Sequence, residues 1–154
     1  MKSKPLIYLA SPFSSFKKTR EERERELYIR FRKVCEIGGR MVKQGYHVLG
    51  PISQSHPMAI HANLHNTSWE FWKALDTNML RRCDLMFIAT MKGWDKSRGV
   101  RGEIIVAGTL EIPVYLIHPK TLEVTGPFSL QELKDIVGEF TVEDKKDIKN
   151  LLKR

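Results

Sequence analysis

Short apolar runs alternate along the chain with longer segments in which apolar residues recur at helical spacing. Runs of a few mainly apolar residues, bounded by Pro, Gly, Ser or Asp, are typical of strands that are buried on both faces. Such runs occupy residues 6–10, 46–49, 85–89 and 112–117. Helical spacing marks residues 19–43, 68–82, 103–110, 129–137 and 141–154. The pattern therefore predicts a chain that alternates between strand and helix.

This alternation predicts the α/β fold class. Continuous apolar strands favour a parallel sheet with helices on both faces. Right-handed crossovers make such a sheet doubly wound, as in flavodoxin-like and Rossmann-like proteins. We expect four to five strands in a single domain that spans residues 1–154. Residues 127–154 are predicted to be a helical C-terminal extension of that domain.

Three connections that follow predicted strands are expected to meet at the carboxyl edge of the sheet, where open α/β folds bind ligands. They are residues 11–15, 51–66 and 93–102. The second is predicted to be a long polar loop, and loops of this length are often functional. The third ends at Glu103, which the pattern assigns to the first turn of the next helix.

The third connection carries groups that suit a phosphate, namely a hydroxyl, guanidinium groups and the N–H groups of a helix start. These groups belong to Ser97, Arg98, Gly99 and Arg101. The segment is not a P-loop, because it lacks the Gly-Lys-Ser/Thr ending. Ser11 and Ser14 in the first connection can add hydroxyl donors, although turn formation also explains serines there. Trp94 is the tryptophan predicted to stack on a base, whereas Trp69 and Trp72 are predicted to lie in the core.

Two carboxylates are candidates for catalysis. Glu103, near the positive end of a helix dipole, is expected to be ionised, and an ionised carboxylate can attack an anomeric carbon as in retaining glycosidases. The alternative is that Glu103 only stabilises the start of its helix. Asp76 shares a mostly apolar helix stripe with Trp72 and Leu80, and burial of a carboxylate there is costly unless it is paired or functional. The alternative for Asp76 is a position at the surface edge.

Composition limits the kinds of ligand and partner that we expect for this chain. A formal net charge of +8 favours anionic ligands. Cys35 and Cys83 form neither a metal-type pair nor a disulfide framework, no apolar run approaches membrane-spanning length, and no signal peptide is recognised. We therefore expect a soluble, cytoplasmic protein without a membrane partner.

Three histidines lie close together in the sequence, at His56, His61 and His65. They are predicted to be solvated loop residues, because no further ligands at metal-site spacing follow them. Neither a metal ion nor a cofactor is expected.

An ordered set of residues resembles the nucleoside 2-deoxyribosyltransferase superfamily over roughly residues 6–117. The set consists of the run 7–10 (Ile-Tyr-Leu-Ala), Asp76 followed eight residues later by Asp84, and the pattern Ser-x-Gly-Val-x-x-Glu at 97–103. The last pattern is most similar to the 2′-deoxynucleoside 5′-monophosphate N-glycosidase branch. Residues 93–100 also resemble an uncharacterised phage and bacterial branch.

The resemblance implies roles for single residues. Glu103 would be the nucleophile that attacks C1′ of the sugar, and Tyr8 would position it. Asp76 would contact the sugar and assist proton transfer to the base, and Ser97 would contact the phosphate. The transferases carry an aspartate in line with Ser97, whereas Asp95 stands two residues earlier here, so both Asp76 and Asp95 are candidates for the general acid. Family members are usually dimers or larger homo-oligomers.

The expected function is hydrolysis of the N-glycosidic bond of a (deoxy)nucleoside 5′-monophosphate, which releases the base and a sugar phosphate. One alternative is a transferase that moves deoxyribose between bases, and another is hydrolysis of a different N-glycosyl nucleotide such as NAD. A third is a non-catalytic nucleotide-binding or sensing module. Nucleic acid is the least expected partner, because no recognised module for it is present.

Overall fold

The structure of the chain, a computed structural model, describes residues 3–65 and 68–153. The strands are β1 Leu6–Ala10, β2 His47–Leu49, β3 Leu85–Ala89, β4 Val114–Ile117 and β5 Val124–Phe128. They form one five-stranded sheet in the order β2-β1-β3-β4-β5, and β1 to β4 run parallel. The predicted α/β fold with a flavodoxin-like sheet is confirmed.

The fifth strand differs from the predicted parallel arrangement, because β5 pairs antiparallel with β4. The register joins Val114 to Phe128 and Ile117 to Val124. A parallel crossover needs about a dozen residues or more, and the few residues between β4 and β5 can only form a hairpin.

Helices cover both faces of the sheet. They are α1 Arg20–Lys43, α2 Pro51–His61, α3 Trp69–Leu80, α4 Arg98–Thr109, α5 Leu130–Val137 and α6 Val142–Leu152. Except for α2, each of these helices begins after a Ser or Thr whose side chain accepts a hydrogen bond from the backbone N–H three residues later. Such caps satisfy donors that the helix itself leaves unpaired.

The prediction that the second connection is a long loop is wrong, because most of its residues form α2. Pro51 occupies the first helical position, where its fixed φ and its missing N–H are both tolerated. Pro57 lies inside the helix, and a proline at such a position made the segment look non-helical in the sequence. Burial of Ser55, His56 and Ala59 supports the helix in spite of that proline. The end of the predicted loop, at residue 66, lies outside the described residues.

Helix α4 begins earlier than predicted. Ser97 is its N-cap and accepts a hydrogen bond from Val100 N–H, so the helix starts at Arg98. Glu103 is consequently the sixth residue of the helix rather than a residue of its first turn. Gly99 and Gly102 have low helix propensity, so the sequence pattern did not indicate that the helix begins before Glu103.

An apolar layer lies on each face of the sheet. The layer under α1 includes Met41, which is fully buried. Side chains from each of α3 to α6 enter the opposite layer, namely Leu80, Ile104, Leu133 and Ile148. The C-terminal helices thus share a core with the sheet. Among the described helices, none combines the length and the hydropathy that crossing a bilayer requires.

Candidate active site

A cavity of about 890 Å³ opens at the carboxyl ends of β1 and β3. The chain leaves these neighbouring strands in opposite directions, and ligands in open α/β folds bind at such a switch point. The wall includes residues 11 and 13–16 after β1, one side of α2, one side of α3, and residues 96–99 and 103 after β3. The volume fits a small organic ligand.

Two buried carboxyl groups face this cavity. Asp76 extends from α3 and Glu103 from α4, and the two helices pack against each other beside the sheet. Only 7% of Asp76 and 5% of Glu103 is exposed. Tyr8 on β1 is fully buried behind them. The structure therefore brings together three of the four residues that the sequence proposes for catalysis.

Burial controls the ionisation of this group. It raises the pKa of Asp76 to about 7. It also raises the pKa of Glu103 well above its usual range, and the neighbouring Asp76 charge adds to that rise. The Tyr8 hydroxyl favours the ionised form of Glu103 and so opposes the increase in its pKa. Two carboxyl groups in such an environment share a proton near neutral pH.

The helix dipole does not determine the ionisation state of Glu103, contrary to the expectation from the sequence. The dipole acts mainly within the first helical turn, and Glu103 lies one turn further along α4. Burial is the larger effect, and it favours the protonated carboxyl. An ionised Glu103 therefore depends on Tyr8 and on Asp76 carrying the proton.

Several buried polar atoms, most of them on residues that line the cavity, have no hydrogen-bond partner among the residues that the structure describes. They are Tyr8 Oη, Ser11 Oγ, His56 Nε2, Asp76 Oδ1, Thr77 Oγ1 and Glu103 Oε2. The Tyr8 hydroxyl lies near Glu103 but does not complete a hydrogen bond of ordinary geometry to it. Buried polar groups in folded proteins are nearly always paired, and a polar ligand would satisfy those that face the cavity.

The start of α4 supplies an anion-binding corner of the cavity. Ser97 is buried and lines the cavity, and its hydroxyl oxygen accepts from Val100 N–H at 3.3 Å, while its hydroxyl hydrogen has no acceptor among the described residues. Gly99, Ser11 and Ser14 line the same space. The first N–H groups of a helix attract negative charge, and this corner therefore suits a phosphate.

The two arginines of the third connection are engaged elsewhere. The Arg101 guanidinium donates to the carbonyl oxygens of Val137 and of Glu139, the latter at 3.0 Å, and thereby ties α4 to the end of α5. Arg98 lines the rim of the cavity, but its guanidinium pairs with Glu70. The predicted phosphate contact of Arg101 is not supported by this geometry.

Trp94 and Asp95 are not among the described residues that line the cavity. Gly93, with φ of 86°, leads into a single 3₁₀ turn at Trp94–Lys96, and the Trp94 side chain packs against the apolar layer above the sheet. Trp69 and Trp72, which were predicted to be core residues, both line the cavity, and Trp69 also packs against the apolar layer as predicted. The tryptophan side chains in the described cavity wall thus belong to α3.

A family model matches residues 5–130, a range that includes all five strands and every residue lining the cavity. The family is described as a domain of unknown function, DUF1937. The chain belongs to the DUF1937 family. A comparison with curated proteins found no match.

A solved structure described as a 2-deoxyribosyltransferase from the psychrotolerant bacterium Bacillus psychrosaccharolyticus is similar to this DUF1937 chain. The identity is 18% and the TM-score is 0.41, with 90% of this chain and 95% of that chain covered. A likeness at this level supports no statement about activity or about single residues.

The cavity wall also includes residues that the sequence did not predict to be part of the site. His56 on α2 was predicted to be solvated, but it is 9% exposed and lines the cavity. Its ring lies 5.2 Å from the Phe13 ring and 4.7 Å from the Phe31 ring, measured between centroids. Burial lowers the pKa of His56, so the imidazole is neutral at pH 7. No group of three or more His, Cys, Asp or Glu that could hold a metal ion occurs in the described part of the chain.

Gly102 determines how closely Trp69 approaches α4. A Cβ atom at Gly102 would lie 2.3 Å from Cζ2 of Trp69, so Gly102→Ala must displace the indole that forms the cavity wall. We expect this variant to lose roughly 1 to 3 kcal/mol of unfolding free energy, as overpacked sites do. Urea unfolding measures the change.

Gly39→Ala is the matched control, because Gly39 also lies within a helix and its added Cβ would meet no atom within 4 Å. That change is expected to be neutral or slightly stabilising. Equal stability of the two variants would show that the Trp69 contact does not require glycine.

Proposed function

We propose that this chain is an enzyme that cleaves the N-glycosidic bond of a nucleoside 5′-monophosphate. The observation that carries the proposal is the buried pair Asp76 and Glu103, backed by Tyr8 and adjacent to an anion-binding corner. The residue patterns that resemble the nucleoside 2-deoxyribosyltransferase superfamily support the same chemistry. The proposal includes membership of that superfamily, and it prefers the nucleotide hydrolase to the transferase.

In the first step, the Glu103 carboxylate attacks C1′ of the sugar and forms an ester bond with it. The bond between C1′ and the base nitrogen breaks, and its electron pair goes to the base. Asp76 donates its proton to the departing base, since a carboxyl group with a pKa near the working pH is suited to this role. Tyr8 stabilises Glu103 in its ionised form.

In the second step, the Asp76 carboxylate takes a proton from a water molecule, and the resulting hydroxide attacks C1′. The ester bond to Glu103 breaks, and the sugar phosphate leaves. Both carboxyl groups then return to their starting states. A second base in place of water would give transfer instead of hydrolysis.

The anion-binding corner supports a phosphorylated substrate. Ser97, Gly99 and the start of α4 lie on the side of the cavity that leads to Glu103. A 5′-phosphate held there would anchor the sugar with C1′ near the carboxyl pair. Trp72 of α3 also lines the cavity and offers an aromatic ring for the base.

The test is a panel of nucleosides and 5′-monophosphates with each common base, as ribose and deoxyribose forms, with and without an excess of a second base. Free base and sugar phosphate are measured by chromatography. We expect base release with a higher kcat/KM for at least one monophosphate than for its nucleoside.

Each other outcome has a defined meaning. Exchange of bases without net hydrolysis would identify a transferase. A preference for free nucleosides would contradict the phosphate assignment. No base release from any compound, together with nucleotide binding by calorimetry, would leave a non-catalytic binding module. The expected homo-oligomer and the cytoplasmic location stay predictions.

A further inference from the structure

Three basic side chains flank the anion-binding corner, at Lys96, Arg98 and Arg101. A phosphate held by hydroxyls and N–H groups gains further from a positive charge that no carboxylate neutralises. The partners of the three side chains determine which of them can supply it.

Arg101 is excluded by its direction. Its described hydrogen bonds run to the carbonyl oxygens of Val137, the last residue of α5, and of Glu139 just beyond it, and its side chain is absent from the cavity wall formed by the described residues. Its charge serves the attachment of the C-terminal helices.

Arg98 lines the cavity, but its positive charge is neutralised by a neighbouring carboxylate. Its guanidinium pairs with one carboxylate oxygen of Glu70, while the other oxygen accepts from Lys73 Nζ at 2.6 Å. Lys73 also bonds Asp147 of α6 at 2.5 Å. These two cations and two carboxylates have no net charge, so the cluster adds little attraction for an incoming anion.

Lys96 differs from both arginines. It lines the cavity directly before Ser97, and its side chain has no ion pair or hydrogen bond with any residue in the described ranges. The 3₁₀ turn holds its backbone, with Lys96 N–H donating to Gly93 O at 3.1 Å and Ser97 N–H donating to Trp94 O at 3.3 Å. The charge of Lys96 is therefore uncompensated and its attachment point is ordered.

A second observation points to a polar ligand in the same cavity. Ser11 lines this cavity and is only 6% exposed, yet its hydroxyl oxygen has no partner among the described residues. A buried hydroxyl without a partner is costly, and an oxyanion between Ser11 and Ser97 would satisfy it.

We propose that Lys96 is the residue that makes this site select phosphorylated substrates, by pairing with the 5′-phosphate while Glu70 neutralises Arg98. The inference rests on the proposed function, because it assigns one group of that substrate to one side chain. Lys96 acts on binding and does not contact the reacting atoms.

The test compares Lys96→Gln with the wild type on a nucleoside 5′-monophosphate and on the corresponding nucleoside. We expect KM for the monophosphate to rise roughly 10- to 100-fold, as for the loss of one charge-assisted hydrogen bond. The kcat for the monophosphate and the kcat/KM for the nucleoside should each stay within about twofold of the wild type. Lys96→Arg should restore most of the preference.

Lys92→Gln is the matched control, because it removes the same charge from an exposed residue between β3 and α4 that is absent from the described cavity wall. Its preference for the monophosphate should equal that of the wild type. If Lys96→Gln keeps the wild-type preference, or raises KM equally for both compounds, the proposal is wrong.

The failure of the proposed function gives a different result. In that case the wild type releases no base from any compound. Calorimetric titration with the same two compounds then measures the preference for the monophosphate over the nucleoside as a ratio of Kd values. A ratio that Lys96→Gln leaves unchanged overturns the inference in that setting too, as does a wild type that binds both compounds equally.

Discussion

Glu103→Gln is expected to lower base release at least about a thousandfold while nucleotide binding is retained. An amide of the same shape cannot form the ester with C1′, and loss of a catalytic nucleophile typically removes most of the rate enhancement. The substitution also removes a buried acidic group from beside Asp76. Single-turnover assays measure the chemical step, and calorimetry measures the binding.

Glu36→Gln is the control for this prediction. It makes the same chemical change on an exposed part of α1, and it should leave turnover unchanged. A Glu103→Gln enzyme with near wild-type turnover would remove the nucleophile from the mechanism. Loss of both turnover and binding would show that Glu103 holds the ligand rather than attacking it.

Much of the sheet could be predicted because its strands are short apolar runs. The segments at β1 and β3 need no context to be recognised, since almost every residue in them is buried. The strand β5 could not be recognised in this way. Its sequence, Val-Thr-Gly-Pro-Phe, contains two poor strand formers, and its place depends on pairing with β4.

The helix starts near the site were harder to predict than the strands. Periodicity needs uninterrupted apolar spacing, whereas α2 contains Pro57 and the first turn of α4 contains Gly99. The sequence did contain usable signals, namely Pro51 as a first helical residue and Ser97 as a cap. Reading those caps would have assigned Glu103 to the second turn.

The members of the site could be predicted in part, because residues at the ends of neighbouring parallel strands must meet. Ser11 and Ser97 follow that rule, since they lie in the connections after the adjacent strands β1 and β3. The place of Tyr8 was expected only from the resemblance. The direction of Arg98 and Arg101 could not be predicted. Their partners, Glu70 and the carbonyl groups near the end of α5, are 28 or more residues away in the sequence.

The second large effect concerns Asp76 and the pH dependence of stability. Burial raises the pKa of this carboxyl group from an ordinary 3.8 to about 7. Between these pH values the folded chain retains a proton that the unfolded chain has released. The contribution to stability is therefore complete below about pH 4 and is lost progressively as pH rises through about 7. Between pH 5 and pH 8 the loss amounts to roughly 2 to 3 kcal/mol.

Asp76→Asn removes the titration of Asp76 and also the neighbouring charge that helps to raise the pKa of Glu103. The variant should gain stability relative to the wild type as pH rises from 5 to 8, by an amount of the same order, and urea unfolding at each pH measures the difference. At the same time its kcat should fall by about 10²- to 10⁴-fold, since the proton donor is lost. A residue that lowers stability at the working pH yet is needed for turnover is the expected signature of a catalytic group.

Asp95→Asn separates the two candidates for the general acid. Asp95 is half-buried and absent from the cavity wall that the described residues form, so its removal should change turnover little. If Asp95→Asn loses base release and Asp76→Asn keeps it, the proton comes from the 3₁₀ turn, and that turn must then move toward the cavity during the reaction. If the stability profiles of Asp76→Asn and the wild type are parallel, Asp76 is not the buried proton carrier that the mechanism requires.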